Sequence, residues 1–368
     1  METAKEQTAD LKEIKCKGCG AALKFMPGTT KLGCDFCGAE NEIEFKQEPV
    51  EELDFDKFLS EYLTKSDNTV KVNVVKCGAC GAQTQLPDKV VADHCDFCGT
   101  PIAMKDASTC DLIKPKSILP FAIDREKGFD SFKKWVSSIW FAPNDLKKRM
   151  DDSEKLAGMY IPYWTFDADT NSWYTGLRGV DRTETYTAYE NGKPVTRTRT
   201  KTDWYPASGY VSYFFDDVLV VGSKSLPKNY MDALEPWDLK NLVPFDNKFL
   251  SGFKTESYGV DLKMSYDDSK KKMDVVIREK VKQHIGGNKQ QITTLDTKHS
   301  SVTFKHILLP VWLSAFKYNG KTYRFMINGR TGEVQGERPY SFWKIFFLVV
   351  FILGIIAAGI VLYMKYGK

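Results

Sequence analysis

The chain has 368 residues, 42% of them hydrophobic and 27% charged, which excludes a wholly disordered protein and leaves room for two or three domains at ~100–200 residues each. Its 52 basic and 48 acidic side chains give a formal charge of +4, too near balance for a chain built to coat nucleic acid. Two features stand out: eight of the nine cysteines fall in C-x-x-C pairs, and residues 345–364 carry no charge.

The N-terminus, Met1-Glu2-Thr3-Ala4-Lys5-Glu6, is polar and has no apolar stretch, so no cleaved secretory signal is expected. An internal repeat follows. Cys16, Cys19, Cys34 and Cys37 recur as Cys77, Cys80, Cys95 and Cys98, each displaced by 61 residues, in two copies of C-x2-C-x14-C-x2-C. This is a zinc-ribbon spacing. Two residues between cysteines let one tight turn offer both sulfurs to one ion, and four thiolates at ~2.3 Å close a tetrahedral Zn²⁺ site with no position for a substrate water. A 22-residue unit is too small to bury a self-sufficient core, so the metal supplies its folding energy. Two structural zinc ions are therefore expected. A disulfide framework would need an oxidising compartment, and a redox C-x-x-C normally comes singly. His94 reads as a neighbour or surface residue rather than a ligand, and Cys110, outside the repeat, is given no role.

The first ribbon is placed at residues 1–48 and the second at 70–108, joined by a linker at 49–69. In the linker, Phe55, Phe58, Leu59, Tyr62 and Leu63 have helical spacing behind an Asp54 cap, and Val70, Val72 and Val74 alternate as in a strand. Residues 112–338 are expected to form an α+β domain with a mainly antiparallel sheet. Within it, the apolar spacing predicts helices over 129–140 and 267–285, the second stopped by Gly286-Gly287. Asn191-Gly192 predicts a hairpin of 183–190 with 193–201, setting Tyr186 opposite Arg197 and Glu184 opposite Arg199. Its Arg- and Lys-rich face reads as a solvated surface held by cross-strand pairs, in preference to a surface for lipid headgroups or an acidic partner. A second hairpin is predicted to turn at Asn319-Gly320, and Ile161-Pro162-Tyr163-Trp164 echoes Leu309-Pro310-Val311-Trp312.

Residues 345–364 make a helix of roughly 30 Å, the thickness of a bilayer core. Trp343 and Lys344 before it, and Tyr363, Lys365, Tyr366 and Lys368 at its other end, fit the two interfaces, so a tail anchor is placed at 343–366. Arg324, Arg330, Arg338 and Lys344 outweigh the cations beyond it, which puts the N-terminal body in the cytoplasm of a single-pass cell-membrane protein. Gly354 and Ala358 form a small-xxx-small pair through which two such helices can associate. No G-x-S-x-G, H-E-x-x-H or G-x-G-x-x-G occurs, and Ala315 stands where a phosphate loop ending at Gly320-Lys321-Thr322 requires glycine. No catalytic or cofactor-binding residue is assigned, and the chain is read as no enzyme.

The order of these features, with the C-D-F-C-G endings of both ribbons and the stretches Leu309-Pro310-Val311-Trp312, Tyr318-Asn319-Gly320-Lys321-Thr322-Tyr323 and Asn328-Gly329-Arg330-Thr331-Gly332, resembles the bacterial YdjG-like, TFIIB-type zinc-ribbon membrane proteins over nearly the whole chain. Members are often labelled primosomal protein N′- or helicase-like, yet this chain lacks the ATP-binding loop of a helicase. The resemblance implies an association with membrane-protection systems beside phage-shock coat proteins and flotillin-like (SPFH) proteins, and makes the eight cysteines the zinc ligands. The expectation is a multi-domain, cytoplasm-facing, membrane-anchored adaptor or scaffold for envelope stress. The alternative is a nucleic-acid-binding ribbon protein tethered to the membrane. Lys12, Lys15, Lys17, Lys24 and Lys31 favour that alternative; Glu40, Glu42, Glu44, Glu48, Glu51 and Glu52 oppose it.

Overall fold

The computed structural model describes residues 14–44, 50–62, 69–78, 82–85, 92–95, 97, 100–103, 107–143, 156–190, 192–318 and 321–366. The first cysteine unit holds three short antiparallel strands in sequence order, β1 (Lys24–Phe25), β2 (Lys31–Gly33) and β3 (Glu40–Glu42). A two-residue strand, β4 (Leu53–Asp54), runs into helix α1 (Phe55–Tyr62), and Asp54 caps it as the spacing predicted, its Oδ1 accepting from the Lys57 amide at 2.8 Å. The second unit has β5 (Thr69–Lys76), β6 (Gln83–Gln85), β7 (Ala92–His94), β8 (Pro101–Ala103) and β9 (Ala107–Ile113). They pair as a β6-β5-β9 sheet and a β7-β8 ribbon.

After β10 (Ser117–Ile118) and helix α2 (Arg125–Ser138) come two very long strands, β11 (Ala157–Glu190) and β12 (Lys193–Val221), of 34 and 29 residues. Helix α3 (Lys228–Ala233) and two short strands, β13 (Val243–Pro244) and β14 (Lys254–Thr255), lead to helix α4 (Leu262–Ile285). The chain ends with β15 (Lys289–Tyr318), β16 (Lys321–Asn328), β17 (Val334–Gly336) and helix α5 (Phe342–Tyr366). The centre of the large sheet is the antiparallel trio β12-β11-β15. The predicted register holds, with Tyr186 opposite Arg197 and Glu184 opposite Arg199, and Gly192 takes φ 77° in the turn. The strands, however, run far beyond the predicted hairpin. Past Gly179, the last residue to pair with β15, β11 and β12 continue as a two-stranded arm for 11 residues, ~36 Å at about 3.3 Å each. On the arm, Arg182 pairs with Asp203 at 2.6 Å, Arg199 with Glu184 at 3.0 Å, and Arg197 with Glu190, so acids answer its arginines.

The two I/L-P-x-W stretches are neighbours in the sheet, Ile161 opposite Leu309 and Pro162 opposite Leu308. Each proline marks a change of ladder. β11 pairs with β14 at Met159 and Tyr160 and with β12 from Tyr163 on, and Pro162 lies between. β15 pairs with β10 at Ile307 and Leu308 and with β16 from Val311 on, with Pro310 between. A residue lacking an N–H is tolerated at such a gap.

Strand alternation sorts the core by face. Met159, Ile161 and Tyr163 join Leu309, Val311 and Leu313 against Cys77, Cys95 and Phe97 of the second cysteine unit. On the opposite face, Tyr160, Leu308 and Trp312 meet Phe129, Phe132 and Val136 of α2, together with Leu23, Phe25 and Leu32 of the first unit. Further along that face Trp164, Phe166 and Phe304 lie under Met273, Ile277, Val281 and Ile285, a four-residue repeat down α4. Asp261 caps α4 by accepting from the Met264 amide, and Gly286 and Gly287, at φ 67° and 79°, end it as predicted. α2 departs from expectation: it stops at Ser138, because Ile139 is already extended and the Trp140 and Ala142 carbonyls accept from Lys344 Nζ instead. The result is a multi-domain α+β protein, mainly sheet. Its helix α5 is 25 residues long and apolar, with no residue buried.

Candidate metal centre

Each first cysteine of a C-x-x-C pair makes the same backbone hydrogen bond. The amides of Cys16, Cys34, Cys77 and Cys95 donate to the carbonyls of Ala21, Ala39, Ala82 and Thr100 at 2.7, 3.0, 2.8 and 2.8 Å. All four bonds span five residues. In the first unit Gly20 and Gly38 sit at φ 76° and 71°, a conformation that costs glycine little, and their amides close back on the Cys16 and Cys34 carbonyls.

These turns bring Cys16, Cys19, Cys34 and Cys37 together, with all four sulfurs within 4.8 Å of one another. Cys16 and Cys37 stand 3.6 Å apart, and Cys19 and Cys34 3.5 Å. A tetrahedron with ~2.3 Å metal–sulfur bonds has edges of about 3.8 Å, so the donor set fits a metal ion such as Zn²⁺. Cys16 and Cys34 are buried, and Cys19 and Cys37 face solvent. The thiols are polarised unequally. Amide hydrogen bonds, from Cys37 first and then Phe36, lower Cys34 to about 6, and those of Cys19 and Gly18 lower Cys16. The Ala39 amide pulls Cys37 down, but Cys16, Cys19 and Cys34 around it outweigh that and push it up to about 12. Four adjacent thiolates repel one another, and a divalent cation relieves that repulsion.

In the second unit Cys77 and Cys95 are buried in one cluster with Phe97, while Cys80 and Cys98 lie outside the described residues. His94 is exposed, and Cys110 sits in β9 opposite Val72. Lys321 and Thr322 begin β16 directly across from Tyr318 and Lys317, a hairpin and not a strand-to-helix phosphate loop.

Two polar clusters escaped the sequence reading. The first is Asp167, Asp216 and Asp217, whose carboxylates converge within 4.8 Å. Its cation is already present. Lys305 Nζ, on a side chain 7% exposed, lies 2.7 Å from Asp217 and 3.0 Å from Glu52. The sheet is irregular at this level, with register shifts around Asp167 on both sides and positive φ at the non-glycine residues Asp217 and Ser301. Burial, reinforced by Glu52, pushes Asp167 up to about 7. Lys305 and Glu52, 253 positions apart in sequence, carry no local signal of such a pairing.

The second is Glu256, 2% exposed at the seam where Ser257 donates to Gln83 O of β6. Ser223 and Ser225 donate to its Oε1. Burial raises Glu256 from 4.5 to about 7. Between those values the folded chain holds a proton that the unfolded chain releases, so this group's contribution to stability falls as pH rises. Glu256→Gln is expected to gain about 3 kcal/mol over the parent near pH 8 and almost nothing near pH 4.5, at about 1.4 kcal/mol per pKa unit. Denaturant midpoints at the two pH values check this, and a gain independent of pH would count against it.

These features define a class: an α+β protein of several domains with a four-cysteine cluster able to hold a metal and one apolar helix long enough to cross a bilayer. The chain is similar to the uncharacterized protein YdjG of Bacillus subtilis (strain 168), 27% identical over 336 residues that cover 90% of this chain and 91% of that protein. No family model matches the sequence. No solved structure matches the chain.

Proposed function

We propose that this is a membrane-anchored zinc-ribbon adaptor on the cytoplasmic face of the cell membrane, acting in a membrane-protection or envelope-stress complex with phage-shock coat or flotillin-like (SPFH) partners. The carrying observation is a cluster of four cysteine sulfurs within 4.8 Å that closes a tetrahedral site and leaves no position for a substrate, in a chain that also carries an apolar helix with no buried residue. Cys16, Cys19, Cys34 and Cys37 hold one zinc ion, and Cys77, Cys80, Cys95 and Cys98 a second. Both are structural. They stiffen two units that pack on opposite faces of one sheet. The cation excess before residue 345 orients the body towards the cytoplasm. Phe36, 83% exposed in the first unit, offers a partner an apolar contact on a rigid base.

The nucleic-acid reading finds less support. Lys24 pairs with Asp35 at 2.5 Å and Lys31 with Glu40 at 2.9 Å, which leaves fewer cations for phosphates. Because the first unit shares its core with the sheet, the test uses the full chain purified from membranes. Two zinc ions per chain, a co-purifying coat or SPFH protein identified by mass spectrometry, and no salt-dependent DNA binding are expected. DNA binding that weakens steeply with salt, or a preparation with neither partner class, would overturn the adaptor.

A further inference from the structure

We propose that residues 139–143 are a second membrane contact: they lie among lipids at the headgroup–acyl boundary and, with the first turns of α5, wall a groove that a phospholipid chain fills. This rests on α5 being a membrane span. The groove, of about 610 Å³, has Ile139, Trp140 and Pro143 on one side and Phe347, Leu348 and Phe351 on the other, with Lys344 also lining it.

The depth argument comes first. The uncharged run of α5 is twenty residues, 345–364, and at 1.5 Å each all of it is needed to cross about 30 Å of hydrocarbon. Were residues 345–351 held above the bilayer by the body, the remaining thirteen would span only about 20 Å. The span therefore begins beside Phe347 and Phe351, and whatever packs against those rings sits at membrane depth. That is the segment 139–143.

Part of the segment's backbone is already paired within the protein, as suits such a place. Backbone polar groups entering lipid must be satisfied internally. The Ile139 amide donates to Val136 O at 3.3 Å and the Ala142 amide to Ile139 O at 3.2 Å; Phe141 O accepts from the Ser341 amide at 2.7 Å. The Trp140 and Ala142 carbonyls accept from Lys344 Nζ at 3.1 and 2.8 Å. Pro143 has no amide hydrogen to satisfy. Trp140 is 78% exposed, and an indole prefers the boundary between headgroups and chains. An ammonium carries three hydrogens, and the loop carbonyls take two from Lys344. The third suits a lipid phosphate oxygen. With one helix as its only tether the body would swivel on the membrane; a second contact fixes which face it turns to the bilayer.

The test uses the full chain in vesicles of phosphatidylethanolamine and phosphatidylglycerol. Trp140, Ile355 and Val275 are each replaced, one at a time, by the photo-crosslinker p-benzoylphenylalanine, and lipid adducts are read by mass spectrometry. Val275 is 64% exposed on α4 and serves as the aqueous control. Lipid adducts at 140 and 355 but not at 275 are expected. Adducts at 355 with none at 140, or adducts from 140 to protein alone, overturn the second contact and leave the span standing. No lipid adduct at 355 overturns the span itself. Equal adducts at 275 and 140 also overturn the proposal, because the body would then meet lipid without a dedicated segment.

Discussion

Replacing Cys34 with serine is expected to remove one metal ion from the chain and to detach residues 14–44 from the sheet. Cys34 is 5% exposed, and a serine hydroxyl in its place is a poor ligand for a soft-leaning ion. Structural zinc contributes about 10–16 kcal/mol to small cysteine units, far more than three strands of two or three residues recover alone. The loss would not stay local. Phe25 packs edge-on to Phe249 at 5.3 Å and shares a cluster with Phe121 and Tyr160, so detaching the unit opens one face of the sheet to water. With one ion in each unit, as proposed, metal analysis is expected to find one ion in Cys34→Ser against two in the parent. Hydrogen exchange is expected to find the Cys16, Leu23 and Phe25 amides unprotected while those of Tyr163 and Trp164 keep their protection. Native metal content together with native protection in Cys34→Ser would mean that the cluster is not what holds the unit.

Trp164→Ala is expected to cost about 3–5 kcal/mol, the range for removing a large aromatic from a core. The indole is fully buried, donates to Val260 O at 3.1 Å, lies over His306 at 4.7 Å and meets Tyr258 edge-on at 5.2 Å. Truncation therefore leaves a cavity and an orphaned carbonyl beneath α4. His306 is buried with it, and burial lowers its imidazole to about 4. Trp173→Ala provides the contrast. Trp173 is 49% exposed, with Tyr210 as a ring neighbour at 5.3 Å, and its loss is expected to cost about 1 kcal/mol. Denaturant titrations of the detergent-solubilised protein compare the two, and equal midpoints would contradict this assignment of the core.

Sequence showed most where chemistry is local. Cysteine spacing marked the four sulfurs that converge, charge-free length marked α5, and Asn191-Gly192 placed the arm's pairs residue by residue. It failed where pairing is remote. The start of β15, Lys-Gln-Gln-Ile-Thr-Thr-Leu-Asp from residue 289, is assigned no element from sequence and is strand because β11 offers it a ladder from Gly179 on. Gly176 and Gly179 look like strand breakers, yet a Cβ at Gly176 would stand 2.2 Å from the Gln291 carbonyl oxygen, so close strand approach is what excludes a side chain there. Lys305, Asp217 and Glu52 gather from three separate stretches, and only the fold makes them neighbours.

The arm has a property that its pairing chemistry alone does not control. Thr183, Thr185 and Thr187 face Thr200, Thr198 and Thr196, and a slide of two residues would again set threonine against threonine. The same slide would put Arg182 opposite Asp203 and Glu184 opposite Lys201, both attractive pairs. The side chains of the arm thus barely distinguish one alignment from the next. Alignment is imposed from outside that stretch, by the tight turn at Gly192 at its tip and, within the body sheet, by Pro162, which sits at the gap between two ladders of β11. Drift in the threonine and arginine stretch should therefore be tolerated, whereas a lengthened turn would free two strands of some thirty residues to shift like a sliding scale that has lost its stop.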